Sequence, residues 1–426
     1  MAGRVTCVLV LLTTLAAGED WPQFRGPSGD GISRSANPPL EWSETKNIAW
    51  KTAIPGRGRS SPVVLGDRVW LTTAIESNVV RKRIGPDDMQ AADHVALGAA
   101  CLDRTTGRLL WHVTTFDVDK PPPVHWLNSW ATPTPVAEPE RLYCDFGSMG
   151  TACLDAETGK TLWTQRLPID HMVGPGSSPI LCQNLLILVR DGCDQQYVAA
   201  LDKKTGETVW KTPRPPIEAR PDLRKAFSTP LLIERDGTAQ MIAVGARWAV
   251  CYEPATGKEL WRVRHGNGWS LAPRPVADAE RVYICTGAVV AQLAAIRLGG
   301  EGDVTPSHIA WRSSEIHYPI MPSPILVGKE LYCVNDEGIV LCLDAATGQV
   351  VWRTRLGGPA MASPVFAAGR LYFWTSTGKS VVLKAGRQLE RLAENALEGT
   401  LVASPAIVGD AIFLRTDTHL YRIENR

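Results

Sequence analysis

The sequence predicts an all-β fold built from repeated four-stranded sheets. Two patterns recur along the chain. The first is Asp-x-x-Thr-Gly, three further residues and then Trp, and the second is a small or hydroxyl residue followed by Pro and an apolar run. The 37 Gly and 31 Pro among 426 residues also suit a chain with many turns and few helices. Repeats of this kind determine the architecture before any single element is considered.

The Asp-x-x-Thr-Gly pattern predicts a hairpin. Asp accepts hydrogen bonds from backbone amides two residues on, and Gly supplies the positive φ that closes the turn. The Trp that ends the second strand is expected to pack between neighbouring sheets. The predicted docking residues are Asp103, Gly107, Trp111; Asp155, Gly159, Trp163; Asp202, Gly206, Trp210; Glu253, Gly257, Trp261; Asp344, Gly348, Trp352; and, without a complete turn, Trp50 and Trp311.

The proline pattern marks where each repeat begins. A strand with an aromatic residue, the docking hairpin and its Trp follow most of these starts, which gives four strands every 40–50 residues or so, as in a β-propeller blade. The eight predicted starts are Ser61-Pro62, Thr132-Pro133, Ser178-Pro179, Thr229-Pro230, Ala272-Pro273, Ser323-Pro324, Ser363-Pro364 and Ser404-Pro405.

The two ends of the repeat array are predicted to complete each other. The eighth start leaves room for only three strands, and residues 47–51, ending near Trp50, supply a fourth. We therefore predict an eight-bladed β-propeller of four-stranded antiparallel blades whose N-terminal strand joins the C-terminal blade and removes the open sheet edge. Seven blades is the alternative. The seventh repeat lacks its Trp, and Leu389–Leu392 is expected in its place.

Before the repeats, the sequence predicts an exported protein. Arg4 precedes an apolar run from Val8 to Ala17, and small residues follow at the expected cleavage site. We assign residues 1–18 to a signal peptide, 19–46 to a Pro- and Gly-rich lead-in packed on the propeller, and 47–426 to the propeller. Secreted or periplasmic location follows, with a retained anchor as the alternative. No segment is apolar for long enough to form a transmembrane helix.

Charge and cysteine content narrow the possible partners. A net charge of +1 gives no bulk attraction to nucleic acid, and we expect a monomer. The absence of Cys-x-x-Cys excludes a zinc knot and a c-type haem site. The pairs Cys144/Cys153 and Cys333/Cys342 occupy equivalent places in two hairpins, where either cross-strand disulfides or free thiols are possible.

Propeller geometry predicts a binding funnel on one face. Loops that join blades share a face with the middle loop of each blade, whereas the Asp-x-x-Thr-Gly turns lie on the opposite face. Long loops on a rigid scaffold commonly carry function. Residues 74–98, with Arg81-Lys82-Arg83, are expected to form a solvated surface loop. The funnel candidates are His125, Trp126, Trp130, Asp191, Asp194, Arg247, Trp269, His317, Tyr318 and Asp336.

The alternative for these residues is structural, with the Trp rings covering the funnel mouth and the charges solvated. Asp191-Gly192-Cys193-Asp194 lacks the continuation of a calcium loop, and no Gly-x-Ser-x-Gly is present. We therefore predict neither catalytic residues nor a metal site.

Residues 47–426 resemble the tryptophan-docking repeats of the pyrroloquinoline quinone (PQQ) β-propeller superfamily. Secreted bacterial PQQ-like repeat proteins share the lead-in Asp20-Trp21-Pro22-Gln23-Phe24-Arg25-Gly26-Pro27. The superfamily includes PQQ-dependent alcohol and sugar dehydrogenases and a non-enzymatic lipoprotein of the outer-membrane β-barrel assembly machinery. The dehydrogenases typically carry adjacent cysteines and Glu, Asn and Asp ligands for calcium. This sequence has no Cys-Cys dipeptide, and no such ligand trio can be placed in it.

The resemblance implies a non-enzymatic binding or assembly scaffold of the cell envelope, with a protein or glycan partner and no cofactor. One alternative is an oxidoreductase that uses PQQ and calcium. The other is a carbohydrate-binding propeller, which the Trp residues suggest.

Overall fold

The computed structural model describes residues 20–34, 37–85, 87–288, 291–314 and 318–426. The predicted signal peptide, residues 1–18, and the candidate His317 lie outside these ranges. In the described ranges the chain is all-β, with six four-stranded sheets, two five-stranded sheets and one three-stranded sheet. No helix there has the length and apolar character needed to cross a membrane.

Two strands precede the first repeat, and the first repeat carries an insertion. Strands β3, β4, β7 and β8 form sheet 1 in that order, while β5, β6 and β9 form a separate three-stranded sheet, here called the insertion sheet. The strands are β1 (Ile32–Ser33), β2 (Ile48–Ala53), β3 (Val63–Leu65), β4 (Arg68–Ser77), β5 (Val80–Ile84), β6 (Asp87–Ala91), β7 (His94–Asp103), β8 (Leu109–Asp119) and β9 (Val124–His125).

Sheets 2, 3 and 4 follow as simple antiparallel meanders. Sheet 2 comprises β10 (Val136–Glu138), β11 (Arg141–Asp145), β12 (Thr151–Asp155) and β13 (Thr161–Gln165), with a 3-10 turn at Gly147–Met149. Sheet 3 comprises β14 (Ile180–Cys182), β15 (Leu185–Asp191), β16 (Gln196–Asp202) and β17 (Thr208–Pro213). After a 3-10 turn at Pro221–Leu223, sheet 4 comprises β18 (Leu231–Arg235), β19 (Thr238–Val244), β20 (Trp248–Tyr252) and β21 (Glu259–Arg264).

Sheets 5 to 8 complete the series. Sheet 5 contains β22 (Val276–Ala277), β23 (Arg281–Cys285), β24 (Leu293–Arg297) and β26 (Ile309–Ser313), and between the last two lie β25 (Gly302–Asp303) and α1 (Thr305–His308). Sheet 6 contains β27 (Ile325–Val327), β28 (Glu330–Val334), β29 (Ile339–Asp344) and β30 (Val350–Arg355). Sheet 7 contains β31 (Val365–Ala367), β32 (Arg370–Trp374), β33 (Lys379–Lys384) and β34 (Arg391–Ala396), and sheet 8 contains β35 (Ala406–Val408), β36 (Ala411–Arg415) and β37 (His419–Ile423).

Three short strands from elsewhere complete these sheets. The N-terminal strand β2 pairs antiparallel with β37, so sheet 8 has the order β2-β37-β36-β35. Strand β1 of the lead-in adds in parallel to β31, and β25 adds in parallel to β21 beside Trp261. The segment between β24 and β26, which takes the place of the docking turn in the fifth repeat, therefore packs on the preceding sheet.

Burial along the strands explains their composition. The second strand of sheet 8, β36, is buried at every residue, whereas the outer strand of sheet 2, β13, has no fully buried residue. Continuous apolar runs such as Ala411–Leu414 are expected where both faces of a sheet pack against neighbouring sheets. Outer strands alternate with polar residues because they are partly exposed to solvent.

Each docking Trp packs on the turn of the following sheet. The Nε1–H of Trp163 donates to the Lys203 carbonyl at 3.1 Å, and a Cβ added to Gly206 would lie 2.6 Å from the Trp163 ring. Gly206 has φ +78°, so its turn needs glycine for both reasons. The corresponding Nε1–H donations run from Trp50 to Arg104, from Trp210 to Pro254, from Trp311 to Ala345 and from Trp352 to Gly386.

Gly206→Ala is expected to lower the free energy of unfolding by about 3 kcal/mol, from the left-handed backbone and displacement of the Trp163 ring. Gly369 is the matched control, because it has φ +76° with nothing within 4 Å of an added Cβ. Gly369→Ala should cost only about 1 kcal/mol. Urea unfolding of both variants measures the difference, and equal losses would show that the Trp contact contributes nothing.

The seventh sheet fills its missing Trp position from the lead-in. In sheets 2, 5, 6 and 8 the docking Trp contacts an aromatic ring of the second strand, as Trp163 does with Tyr143 at 6.2 Å. The register places Ala393 at this position of sheet 7, so the expectation for Leu389–Leu392 was wrong. Trp42 stacks on Tyr372 at 6.3 Å instead.

Two of the predicted repeat starts are displaced by one dipeptide. Strands β10 and β22 begin at Val136 and Val276, directly after Thr134-Pro135 and Arg274-Pro275. The predicted starts Thr132-Pro133 and Ala272-Pro273 lie two residues too early, because each region contains two Pro residues at a spacing of two.

Residues 74–98 do not form the predicted surface loop. They contain the ends of β4 and β7 and the first two strands of the insertion sheet, with Arg81-Lys82-Arg83 inside β5. Strands β4 and β7 are each ten residues long, and their extended ends support the hairpin formed by β5 and β6.

The described cysteines are buried free thiols. In sheet 2 Cys153 lies opposite Tyr143, and Cys144 lies opposite Ala152. Neighbouring residues of a strand point to opposite faces, so Cys144 and Cys153 cannot meet across the hairpin. The same offset separates Cys333 from Cys342, which pairs with Tyr332.

Candidate functional site

The residues before the strand-initiating prolines form a chain of hydrogen bonds from sheet to sheet. The backbone N–H of Ser61 donates to Thr134 Oγ1 at 2.9 Å, and the Thr134 N–H donates to Ser178 Oγ at 3.0 Å. Proline carries no N–H, so the preceding residue supplies both donor and acceptor. The chain continues from Ser178 to Thr229, from Arg274 to Ser323, from Ser323 to Ser363 and from Ser363 to Ser404.

A cavity of about 370 Å³, here called the central cavity, lies inside this chain of hydroxyls. Every repeat contributes one residue to its wall, and this residue lies three positions before the proline that precedes the first strand of the repeat. Alternate residues of an extended segment point the same way, which explains the spacing. The eight residues are Arg59, Thr132, Gly176, Phe227, Ala272, Met321, Met361 and Val402.

The lead-in crosses one end of the central cavity. Its Phe24 is part of the cavity lining, and Trp21 exchanges two backbone hydrogen bonds with Val64 at 2.8 and 2.9 Å. The buried Arg25 guanidinium donates to the carbonyls of Pro324 and Pro364 at 2.8 and 3.2 Å. The lead-in is thereby attached to sheets 1, 6 and 7, beneath the hydroxyl chain.

The loops between sheets form the opposite rim, which is aromatic and charged. Trp269 lies in the lining, with the Lys225 ammonium 4.8 Å from its ring centroid. Lys225 is buried and donates to the Asp222 carbonyl at 2.7 Å. Burial lowers the pKa of His125, whose Nδ1 accepts from the Leu127 N–H. An aromatic face beside a cation and methionine side chains can accommodate apolar or aromatic groups.

A second cavity of about 440 Å³ adjoins the first between sheets 1, 7 and 8. Arg59 borders both cavities, and burial lowers its pKa to about 10. Trp126 forms part of the second wall with Glu76, whose pKa is raised by burial. This cavity is more polar than the central one, because charged side chains make up much of its lining.

The predicted funnel residues do not form a single site. His125 and Trp269 line the central cavity and Trp126 the second one. Asp336 stands behind the wall, accepting from the N–H groups of Ile320 and Met321. Two more occupy loops: Asp194 accepts from the Asp170 N–H, and Arg247 donates to the Glu218 carbonyl.

Three predicted funnel residues are buried away from the central cavity, and for these the prediction was wrong. The Nε1–H of Trp130 donates to the Pro122 carbonyl, and the Tyr318 hydroxyl is within hydrogen-bond distance of Ser313. Asp191 forms a buried ion pair with Arg214 at 3.3 Å. Trp130 and Tyr318 each have a hydrogen-bond partner close by in the sequence, whereas Asp191 is compensated by the charge of Arg214 from the end of the same sheet.

The prediction missed several lining residues, among them Phe24, Lys225 and Phe227. The sequence did contain a pattern that marks some of these lining residues, because the residue three positions before each strand-initiating proline faces the cavity. Phe227-Ser228-Thr229-Pro230 shows it directly. Lys225 and the lead-in residue Phe24 had no such signal.

Two buried titratable side chains near sheet 4, His265 and Asp191, should make the free energy of unfolding depend on pH. Burial lowers the pKa of His265 to about 4 and raises that of Asp191 to about 6. A histidine held neutral in the fold stabilises it fully above pH 6.5, and this contribution is lost as the pH falls toward 4.

His265→Asn should therefore flatten the decline in the free energy of unfolding between pH 6.5 and 4 by about 3 kcal/mol. The comparison uses urea unfolding of both proteins at each pH. Asp191 contributes with the opposite sign, but it is present in both proteins. Parallel curves would contradict the assignment.

The central cavity does not match a calcium–quinone site. Its carboxylates are Asp87 and Asp222, and its amide Asn128 already bonds to Ser129, Val173 and Pro175. In the described ranges no three His, Cys, Asp or Glu side chains are grouped so that they could hold a metal ion. Trp269, Arg59 and Lys225 could contact an anionic aromatic molecule, but a calcium donor set does not accompany them.

Tandem four-stranded sheets with a common cavity define the class: an all-β repeat protein with a propeller-like fold and PQQ-like repeats. The chain belongs to the family described as outer membrane protein assembly factor BamB, whose sequence model matches residues 98–244 and 245–424.

BamB of Bordetella pertussis (strain Tohama I) is 22% identical over 367 residues, covering 79% of this chain and 86% of that protein. The chain spans only about half the length of two further relatives of the same description. Among solved structures, BamB from Moraxella catarrhalis has a TM-score of 0.51 at 16% identity, with 77% of this chain and 96% of that one covered.

The quinohemoprotein alcohol dehydrogenase from Comamonas testosteroni has a TM-score of 0.64 at 12% identity, with 96% of this chain and 81% of that one covered. At these identities the two structures share the fold with this chain, and they carry no further argument about its function.

Proposed function

We propose that this protein is a non-enzymatic binding and assembly scaffold of the cell envelope, acting after export. The observation that carries the proposal is the central cavity, to which all eight repeats contribute and whose inner end is crossed by the lead-in. Membership of the BamB family supports an assembly role, with a protein component of an outer-membrane assembly complex as the partner.

We further propose that the eight repeat sheets are blades of one closed, monomeric ring. The pairing of β2 with β37 supports it, as does the contact of β3 with both β10 and β35. A seven-bladed ring would leave one of these sheets outside. Sedimentation should give the mass of a monomer.

Recognition would take place on the face formed by the loops between sheets. A partner segment would insert apolar side chains past Trp269 toward Phe227 and the methionines, because flexible methionines adapt to different shapes. The central cavity is the size of a few side chains, so the partner would contribute a short segment.

The proposal is tested with fluorescent peptides tiled along outer-membrane β-barrel and assembly proteins of the same envelope. Peptides that bind should be weakened about tenfold or more by Trp269→Ala, equivalent to about 1.4 kcal/mol or more. Leu162→Ala is the matched control, since Leu162 is 44% exposed on an outer strand. Absence of any binding peptide, or equal loss in both variants, would overturn the proposal.

Two alternatives receive separate arms. Calorimetry with PQQ and calcium tests the alternative that the protein is an oxidoreductase. Trp269, Arg59 and Lys225 favour this alternative, and the lack of a calcium donor set opposes it. Micromolar binding of PQQ would support the oxidoreductase over the scaffold. A glycan array tests the carbohydrate-binding alternative, which rests on Trp126, 39% exposed. Glycan binding that Trp126→Ala abolishes would replace the scaffold proposal.

A further inference from the structure

The insertion sheet leaves one strand edge open. Its order is β5-β6-β9, and beyond β9 the His125 N–H bonds to the Val173 carbonyl, so that side is attached to the body. Among the residues that the structure describes, β5 pairs with β6 alone, and all five of its residues are exposed. Its outward N–H and C=O groups are therefore available to another strand.

Exposed apolar side chains are concentrated around this edge. Val80 is 58% exposed, and Val79 and Ile84 are also exposed beside it. Ile75 in β4 and Trp126, directly after β9, are exposed as well, so five of the nine exposed large hydrophobic residues in the described ranges lie within or close in sequence to the strands of this sheet. An exposed apolar cluster on an unpaired edge is typical of an interaction site.

Strand β5 also carries three consecutive cations, while β6 beside it begins with two carboxylates, Asp87 and Asp88. Arg81 pairs with Asp88 at 2.8 Å, and its guanidinium lies 4.3 Å from the Trp126 ring centroid. Lys82 and Arg83 are exposed and form no ion pair with any residue in the described ranges. Two cations on successive residues project to opposite faces of the strand, so a paired strand would meet positive charge on both faces.

We infer that β5 is a docking edge for an extended acidic polypeptide segment, which adds as a strand beside Val80–Ile84. Backbone hydrogen bonds would supply affinity, while Glu or Asp side chains opposite Lys82 and Arg83 would supply specificity. The site is distinct from the central cavity and extends the scaffold role to a second contact.

Charge excludes a second copy of this chain as the occupant. In an antiparallel pair of β5 strands centred on Lys82, Arg81 of each copy faces Arg83 of the other, and like charges directly opposite are destabilising. The same cations that prevent self-pairing favour an acidic strand. A membrane surface would attract the cations but would leave the strand edge unpaired.

The test uses the full chain and a labelled ten-residue peptide that alternates Glu with Val or Thr, followed by fluorescence anisotropy. Lys82→Glu and Arg83→Glu should each weaken binding about tenfold. Lys160→Glu, an exposed residue of a docking turn, should leave it unchanged. Peptides with Lys in place of Glu should not bind to the wild-type protein.

Backbone pairing is tested separately. N-methylation of alternate peptide residues should abolish binding, and the parent peptide should slow amide exchange within Val80–Ile84. Equal binding of the N-methylated peptide would overturn the inference. Binding of anionic phosphatidylglycerol vesicles through Lys82 and Arg83, without binding of the peptide, would also overturn the inference. A dimer of the protein that dissociates when β5 is substituted would overturn it as well.

The two variants distinguish a failure of the β5 docking proposal from a failure of the central-cavity proposal. Trp269→Ala should leave acidic-peptide binding intact, and Lys82→Glu should leave binding of cavity peptides intact. Loss of acidic-peptide binding in Trp269→Ala would place the peptide in the cavity and overturn the inference about β5.

Discussion

Asp145→Leu is expected to lower the free energy of unfolding by about 3–5 kcal/mol, because it leaves the Arg190 guanidinium buried without a counter-charge. Asp145 and Arg190 join sheets 2 and 3 through two contacts of 2.6 and 3.1 Å, and both side chains are 1% exposed. Thr151 donates to the same carboxylate at 2.6 Å and accepts from Arg190.

The matched control is the double variant Asp145→Leu/Arg190→Met. Removing both charges replaces the pair by apolar volume, which is often nearly neutral. The double variant should therefore recover most of the loss in urea unfolding at pH 7. A single variant as stable as wild type, or a double variant less stable than the single, would contradict this account.

Arg25→Met is expected to release the lead-in and to lower the unfolding temperature. The Arg25 guanidinium joins the carbonyls of Asp30, Pro324 and Pro364, and the Met side chain would leave all three without this donor. Bonds to a charged donor contribute about 1.5–3 kcal/mol each, so the total loss should be about 3–5 kcal/mol after relaxation.

Hydrogen exchange and limited proteolysis would identify the released segment. Faster exchange should be confined to residues 20–34 and to strand β31, which pairs with β1. Arg34→Ala is the control within the same segment, because Arg34 forms an exposed ion pair with Asp30, and such pairs contribute little. Uniformly faster exchange across all sheets would show that Arg25 supports the whole fold instead.

The repeated turn made the fold predictable. Asp202, Gly206 and Trp210 carry their own chemistry, a side-chain acceptor, a positive φ and a large ring, so local sequence identifies the hairpin without knowledge of its neighbours. The all-β class, the four strands of each repeat and the partnership of Trp50 with the last strands followed from it.

The candidate site was less predictable, because its residues are defined by contacts between repeats. Trp130 and Tyr318 occupy loops expected to face the funnel, but each turns inward to a partner five to eight residues away. Asp191 pairs with Arg214, and nothing in their 23-residue spacing indicates that contact. Two prolines only two residues apart also made the second and fifth starts ambiguous, which hid the cavity-facing positions Thr132 and Ala272.

The pairing of β2 with β37 has a consequence for biosynthesis. Ile48 lies opposite Ile423, so one of the earliest strands to leave the ribosome finds its partner only after some 370 further residues. Until then β2 is an unpaired apolar strand in a chain that must also cross a membrane if it is exported. Truncation before Ala411 should leave β2 unprotected in hydrogen exchange, and persistent protection would show that β2 folds independently of sheet 8. Translation and export would therefore have to deliver both ends before the molecule can resist aggregation and proteolysis.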